Sequence, residues 1–197
     1  DGLTSIGIWA FCDCSSLKSL NLPDGLTSIR QEAFKGCSSL TSITLPDGVE
    51  KIGNSAFRQC DNLASFTIPK SLTKIEKRTF YGLERLLTVT LPKGLLSIDE
   101  QAFCGCYRLV ELVNLSSIPI EKGKLDYGEI GLRLISVINE EDKTTLTETE
   151  NGLVFLSSEN ENLLVGYVGE KENVELPSEF SSKAYKINDY AFYKEYI

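Results

Sequence analysis

Six cysteines, at positions 12, 14, 37, 60, 104 and 106, are the residues of this chain best suited to metal or redox chemistry. Four of them form the Cys-x-Cys pairs Cys12/Cys14 and Cys104/Cys106. Thiolates hold zinc in sets of four, with metal–sulfur bonds near 2.3 Å. Neighbouring thiols can also oxidise to a disulfide when their backbones lie close enough. No thiol here has an imidazole to work with, because the chain contains no histidine. That removes Ser-His-Asp and Cys-His nucleophilic sites, together with the side chain that titrates nearest neutrality. The carboxylates are scattered through turn-like stretches, with no spacing that picks out an acid/base pair for glycoside cleavage. Glu140, Glu141 and Asp142 stand together but lack the alternating spacing of a calcium loop, so a solvated turn is the simpler reading. Phosphate-cradling glycine motifs are missing too. No catalytic residue, metal site or cofactor is expected, and the chain does not read as an enzyme.

Whether the cysteines meet depends on the elements that carry them, and those elements repeat. Segments starting at Leu3, Leu26, Val49, Leu72 and Leu95 align with a period of 23 residues and no gaps. Phe11, Phe34, Phe57, Phe80 and Phe103 share one register, although the chain has only nine phenylalanines. Ile6, Ile29, Ile52, Ile75 and Ile98 share another, and Leu17, Leu40, Leu63, Leu86 and Leu109 a third. In Leu40–Leu45, apolar Ile43 and Leu45 alternate with Ser42 and Thr44, the period-two signature of a strand with one buried face. Pro46, with no N–H, should end that strand, and Gly48 should supply the freedom of the next turn. Val49–Phe57 should then return along the other side with Ile52, Ala56 and Phe57 inward. One coil cannot bury its apolar face alone. Coils must therefore stack about 5 Å apart, with strands paired in parallel and the aromatics in a column.

The pattern LxxIgxxAFxxCxxLxxIxLPxx resembles the BspA-like leucine-rich repeats of bacterial surface proteins. The resemblance covers five copies in residues 1–117 and resumes at Val174-Glu-Leu176-Pro177 and Tyr185–Phe192. The expected fold is a predominantly β repeat solenoid of 23-residue leucine-rich repeats carrying a small β-rich insertion. Both ends cut through repeats, which predicts a longer parent chain. Three parts are expected: five leucine-rich repeats (1–117), a β-rich acidic insertion (118–173) and the start of a further repeat (174–197). Charge supports that division. Residues 1–117 hold 12 Lys/Arg against 12 Asp/Glu, whereas 118–173 hold 5 against 12. Within the insertion, Leu132–Ile138, Leu153–Leu156 and Leu163–Val168 read as strands, the last two as a hairpin across the polar run 157–162.

Placed on this frame, the cysteines lose their chemistry. Cys14, Cys37, Cys60 and Cys106 occupy one repeat position, which Leu83 fills in the fourth copy, so the position packs a small hydrophobe. Cys12 and Cys104 sit two residues earlier, beside Lys35, Arg58 and Tyr81 in register, and should face outward. The two Cys-x-Cys pairs lie four coils apart, roughly 20 Å at strand spacing, too far for one zinc ion.

What remains for function is surface. The concave sheet face should present Ser19/Asn21, Ser42/Thr44, Ser65/Thr67, Thr88/Thr90 and Glu111/Val113. Of these, Ser42, Thr44, Ser65, Thr67, Thr88, Thr90 and Glu111 are the candidate binding residues, though small β-branched and hydroxyl residues also simply suit an exposed strand. Trp9, the sole tryptophan, stands beside Ile8 in registers that are otherwise polar. It is a candidate anchor, or a cover for a preceding coil. Net charge of −8 argues against nucleic acid and anionic membrane, and no apolar run reaches the roughly 18 residues of a membrane span. The start DGLTSIGIWAF carries no signal-peptide pattern. The resemblance implies an extracellular or cell-surface adhesion module recognising a host or matrix protein or glycan, and the chain is expected to be a monomer. A structural spacer, or the non-catalytic part of a carbohydrate-active enzyme, are the alternatives.

Overall fold

The computed structural model describes residues 2–121, 128, 136–138, 145–157, 162–167 and 174–187. Contacts divide the chain into two units, Asp1–Glu140 and Glu141–Ile197.

In the first unit each repeat is one coil, joined to the next by backbone hydrogen bonds along three sides. The first side is a ladder of two-residue parallel strands. β1 (Ser5–Ile6), β2 (Ser28–Ile29) and β3 (Lys51–Ile52) pair in register, as do β5 (Lys74–Ile75) and β7 (Ser97–Ile98). The second side is a rung of turns: Phe34 N–H donates to Ala56 O at 2.8 Å, and Gly36 N–H to Arg58 O at 2.8 Å. The third carries longer parallel strands, β4 (Ser65–Thr67), β6 (Thr88–Leu91), β8 (Glu111–Asn114) and β9 (Ser136–Ile138). These three ladders satisfy the backbone that each coil would otherwise leave open.

Side-chain periodicity is as the sequence predicts. Ile29, Ala33, Phe34, Leu40, Ala56, Phe57, Leu63, Ile75 and Phe80 are fully buried. The phenylalanines stack with centroids 5.1 Å apart from Phe11 to Phe34, 5.2 Å to Phe57, 6.1 Å to Phe80 and 5.2 Å to Phe103. The one wide step coincides with Phe66, whose ring sits 5.0 Å from Phe57 and 4.7 Å from Phe80 and wedges between them.

Three details depart from the expectation. Ser42 and Thr44 are exposed while Ile43 and Leu45 are buried, yet no strand ladder forms over Leu40–Leu45. Alternation needs only a buried face, whereas a ladder needs a partner in hydrogen-bonding register. Here the backbone link is Thr41 N–H to Lys18 O, and the ladder begins at Ser65. Gly48 also needs no special freedom. The turn is closed by Val49 N–H on Pro46 O at 3.1 Å, and Gly48 is absent from the left-handed residues. In the first unit most of those fall in the turn rung, at Trp9, Glu32, Ser55, Arg78 and Gln101 and again at Asp13, Gly36, Gln59, Gly82 and Gly105. A left-handed non-glycine residue costs roughly 1 kcal/mol. The rung offsets that cost by sending alternate N–H groups across to the next coil.

The third departure is the reach of the stack. Ile118 and Ile120 are buried in the same core as the repeats. Phe103 N–H donates to Gly128 O at 2.8 Å, and Ser136 pairs with Glu111. Backbone pairing with the repeats thus continues as far as Ser136–Ile138, and the contact division falls after Glu140. The strand offset from Glu111 to Ser136 is 25 residues and not 23, so a fixed-period search loses it.

In the second unit, β10 (Thr145–Glu148), β11 (Leu153–Ser157) and β12 (Asn162–Tyr167) form an antiparallel sheet, and β13 (Tyr185–Ile187) adds to it in parallel with β12. The expected hairpin of β11 and β12 is present; β10 is a strand the alternation did not signal. Gly152, at φ 79°, makes the β10–β11 turn, where Gly152 N–H donates to Thr149 O at 2.8 Å. Leu153, Phe155 and Leu164 form the core, with Val174, Phe180 and Tyr185 packed on it. β13 lies where the repeat pattern resumes, but Leu176 and Ile187 are exposed at 46% and 52%. The expected segments 132–135, 140–143 and 191–192, with Val168, lie outside the described residues. Among the described residues, no helix is long and apolar enough to cross a membrane.

Candidate functional site

The long-strand face is built from residues whose neighbours on the sheet are their own repeat equivalents. Ser65 pairs with Thr88 and Thr88 with Glu111, while Thr67 pairs with Thr90 and Thr90 with Val113. Between them Phe66, Val89 and Leu112 point into the core. This alternation leaves two parallel rows of small polar side chains on one surface. Ser42, Thr44, Ser65 and Thr67 are exposed, and Thr88 and Thr90 are half-buried. The face therefore closes progressively along the chain. Glu111 completes that trend and corrects the expectation of an open carboxylate: it is only 7% exposed. Thr88 Oγ1–H donates to its Oε1 at 3.4 Å, so this carboxylate is held within the face. At the other end, Ser19, Asn21, Asp24, Ser42, Thr44 and Pro46 border an open depression of about 340 Å³. Trp9 (61% exposed) and Ile8 (52%) are solvent-facing as expected. Trp9 belongs to the turn rung, where its N–H donates to Gln31 O, and so it does not join the hydroxyl rows.

The cysteines resolve into three environments. Cys37, Cys60 and Cys106 are buried, Cys12 and Cys104 half-buried, and Cys14 exposed; none of the six is in a disulfide. The shared position does more than pack. Each of the three buried thiols donates its S–H to the phenylalanine carbonyl of the preceding coil, to Phe11 O, Phe34 O and Phe80 O, at 3.1 Å in every case. Leu83 fills the same space without that bond. Burial pushes the Cys37 thiol up to about 11 and drives Cys60 higher still. Burial, with a hydrogen bond to Asp13, also raises Cys12, which is half-buried and not freely outward. Protonated thiols are poor nucleophiles and poor metal ligands. Among the described residues, no three His, Cys, Asp or Glu side chains gather as a metal set.

The carboxylates of the turn rung are used internally. Glu32 accepts from Lys35 Nζ at 2.9 Å and from Gln31, which hold its pKa below the usual range. Glu100 is lowered in the same way by Lys77. Asn114, in the sequon Asn114-Leu115-Ser116, is buried, with Nδ2 donating to Ile118 O at 2.8 Å. Its amide is thus committed to the turn that follows β8.

A stack of parallel-strand coils, with leucine, isoleucine and phenylalanine repeating in register, defines a leucine-rich-repeat solenoid of the β-rich kind. Residues 1–118 match the BspA type leucine rich repeat region in six copies, and the chain belongs to that family. Among solved structures it is similar to the T. pallidum leucine rich repeat protein at 29% identity. That match covers 70% of this chain and 66% of the other, with a TM-score of 0.58. A leucine rich cell surface protein from Faecalibacterium prausnitzii is 26% identical over 89% of this chain and 39% of its own, with a TM-score of 0.56. The pneumococcal vaccine antigen PcpA shares the fold at 20% identity, covering 70% of this chain and 39% of its own, with a TM-score of 0.56. The chain thus spans less than two thirds of these relatives' length. No curated protein sequence matches it.

Proposed function

We propose that this chain is the recognition segment of a bacterial surface protein, binding a host or matrix protein or glycan across its long-strand face. The observation that carries this reading is the pair of open hydroxyl rows, Ser42/Ser65 and Thr44/Thr67, continued by Thr88 and Thr90. Each hydroxyl can donate and accept, which suits both a glycan and a peptide backbone. Among the described residues the face has no aromatic or arginine anchor, so affinity comes from many weak contacts over an extended surface. Extracellular placement is supported by the family and by the F. prausnitzii relative, which is described as a cell surface protein. The segment acts as a monomer in this reading and needs no cofactor.

The test is direct binding to a panel of matrix proteins and glycans, beside the variant Thr67→Glu/Thr90→Glu. Both substitutions lie on the solvent side of strands, so the fold should survive within about 1 kcal/mol. Saturable binding to one panel member, weakened tenfold or more in the variant, is the expected result. If the variant binds as well as the parent, or nothing binds, recognition by this face is wrong and a spacer becomes the better account.

A further inference from the structure

A second surface lies on the turn rung and carries arginine and tyrosine side chains, which the described residues of the long-strand face do not. Arg58 and Tyr81 occupy the same repeat register in adjacent coils, and Gln59 N–H donates to Tyr81 O at 2.8 Å across that join. Arg78 sits three residues before Tyr81 in the same coil, where Tyr81 N–H closes a turn on Arg78 O at 3.2 Å. The Arg58 guanidinium lies 5.1 Å from the Tyr81 ring centre and that of Arg78 lies 6.0 Å away. Two cations therefore share one aromatic platform, within about 11 Å of each other. Arg78 is fixed further by its Nε–H bond to Gln101 Oε1 at 2.8 Å, while Arg58 Nε is buried with no hydrogen-bond partner.

The nearby charges sharpen the picture. Lys35 is paired with Glu32, and Lys77 with Glu100. Among the described residues no carboxylate pairs with Arg58 or Arg78. Arg58 and Arg78 thus have no direct carboxylate partner, although the Glu100 carboxylate, paired with Lys77, lies near enough for Arg78 to help lower its pKa. A guanidinium matches a carboxylate with two parallel N–H bonds, and stacking on an aromatic ring orients that fork at little further cost in entropy. Arginine and tyrosine are also the side chains that dominate binding energy at interfaces.

We infer that Arg58, Tyr81 and Arg78 form an acceptor site for an acidic protein segment carrying two carboxylates. A strand with acidic residues at i and i+2 spaces them about 7 Å apart, which the two guanidiniums can span. A long sulfated polysaccharide fits less well. It draws on extended runs of free lysine and arginine, whereas the flanking lysines here are already paired.

The experiment is fluorescence anisotropy with a labelled (Glu-Thr)4 peptide on the whole chain, with a heparin octasaccharide as a second probe. The parent should bind the peptide saturably, and the binding should weaken as salt rises. Arg58→Gln/Arg78→Gln should lower affinity at least tenfold, as expected for losing two charge-assisted bonds. Arg58→Lys/Arg78→Lys keeps the charge and the surface but loses the fork, and should lower affinity several-fold. Thr67→Glu/Thr90→Glu should leave peptide binding unchanged, which separates this site from the long-strand face. Thermal unfolding of each variant confirms that the fold is retained. The inference fails if the parent does not bind the peptide at millimolar concentration, or if the glutamine variant binds as the parent does. It fails equally if heparin binds through these arginines and the peptide does not.

Discussion

The two units of this chain solve the same problem, covering an aromatic core with β structure, by different means. In the first, every coil meets the next through its own equivalents: Phe34 on Phe57, Ser28 Oγ on Ser5 Oγ at 2.8 Å, Arg85 on Asn62 at 3.0 Å. Contacts run at a sequence separation of 23, and the core grows by one layer per repeat. In the second, hairpin order sets the contacts, and the core is one cluster around Phe155. That ring stacks on Phe180 at 3.9 Å and meets Tyr185 edge-on at 5.0 Å. The array is a one-dimensional polymer whose stability is shared between neighbours. The hairpin sheet depends on a few residues that have no second copy.

The largest effect should come from removing a ring in each unit. Phe57→Ala should cost about 3–5 kcal/mol, because the ring is fully buried between Phe34, Phe66 and Phe80. Phe155→Ala should cost a similar amount in its own unit. Hydrogen exchange tells the two apart. Loss of Phe57 should raise exchange in the coils on either side of it, and loss of Phe155 should raise it across Leu153–Ser157 and Asn162–Tyr167. Uniform loss of protection in both variants would mean that the units do not differ in the way described.

A smaller effect separates two glycines that look alike in sequence. A Cβ on Gly53 would lie 2.6 Å from Gln31 N and 2.9 Å from Arg30 C, both rigid backbone of the preceding coil. On Gly48 its nearest neighbour would be Leu26 O at 3.9 Å. Gly53→Ala should therefore destabilise by about 1–3 kcal/mol. Gly48→Ala should be neutral or slightly stabilising, because it restricts the unfolded chain. Urea midpoints measured on the two variants settle the contrast, and equal shifts would refute it.

The smallest effect is chemical. Alkylation under native conditions, read by mass spectrometry, should label Cys14 first and Cys12 and Cys104 more slowly. Cys37, Cys60 and Cys106 should react only on unfolding, since burial keeps Cys37 and Cys60 protonated. Fast labelling of Cys60 in the native protein would mean that the coils open locally.

The sequence alone determined the period, the inward registers of isoleucine, leucine and phenylalanine, and hence the solenoid and its hydroxyl rows. Translational stacking makes each residue its own neighbour, so period implies contact. The hairpin was legible for a related reason, because period-two runs around a polar turn have few other ways to bury one face. Only the tertiary structure decided what depends on distances between coils. The left-handed rung residues carry ordinary side chains such as Glu32 and Gln101, so composition does not betray them. The thiol bonds to Phe11 O, Phe34 O and Phe80 O, the burial of Glu111 and the 25-residue step to Ser136 break no periodic rule that could be read in advance. Arg58, Tyr81 and Arg78 belong with these. Their registers were visible, but side-chain direction brought them together, and direction is set by the backbone torsion of each coil and not by its period.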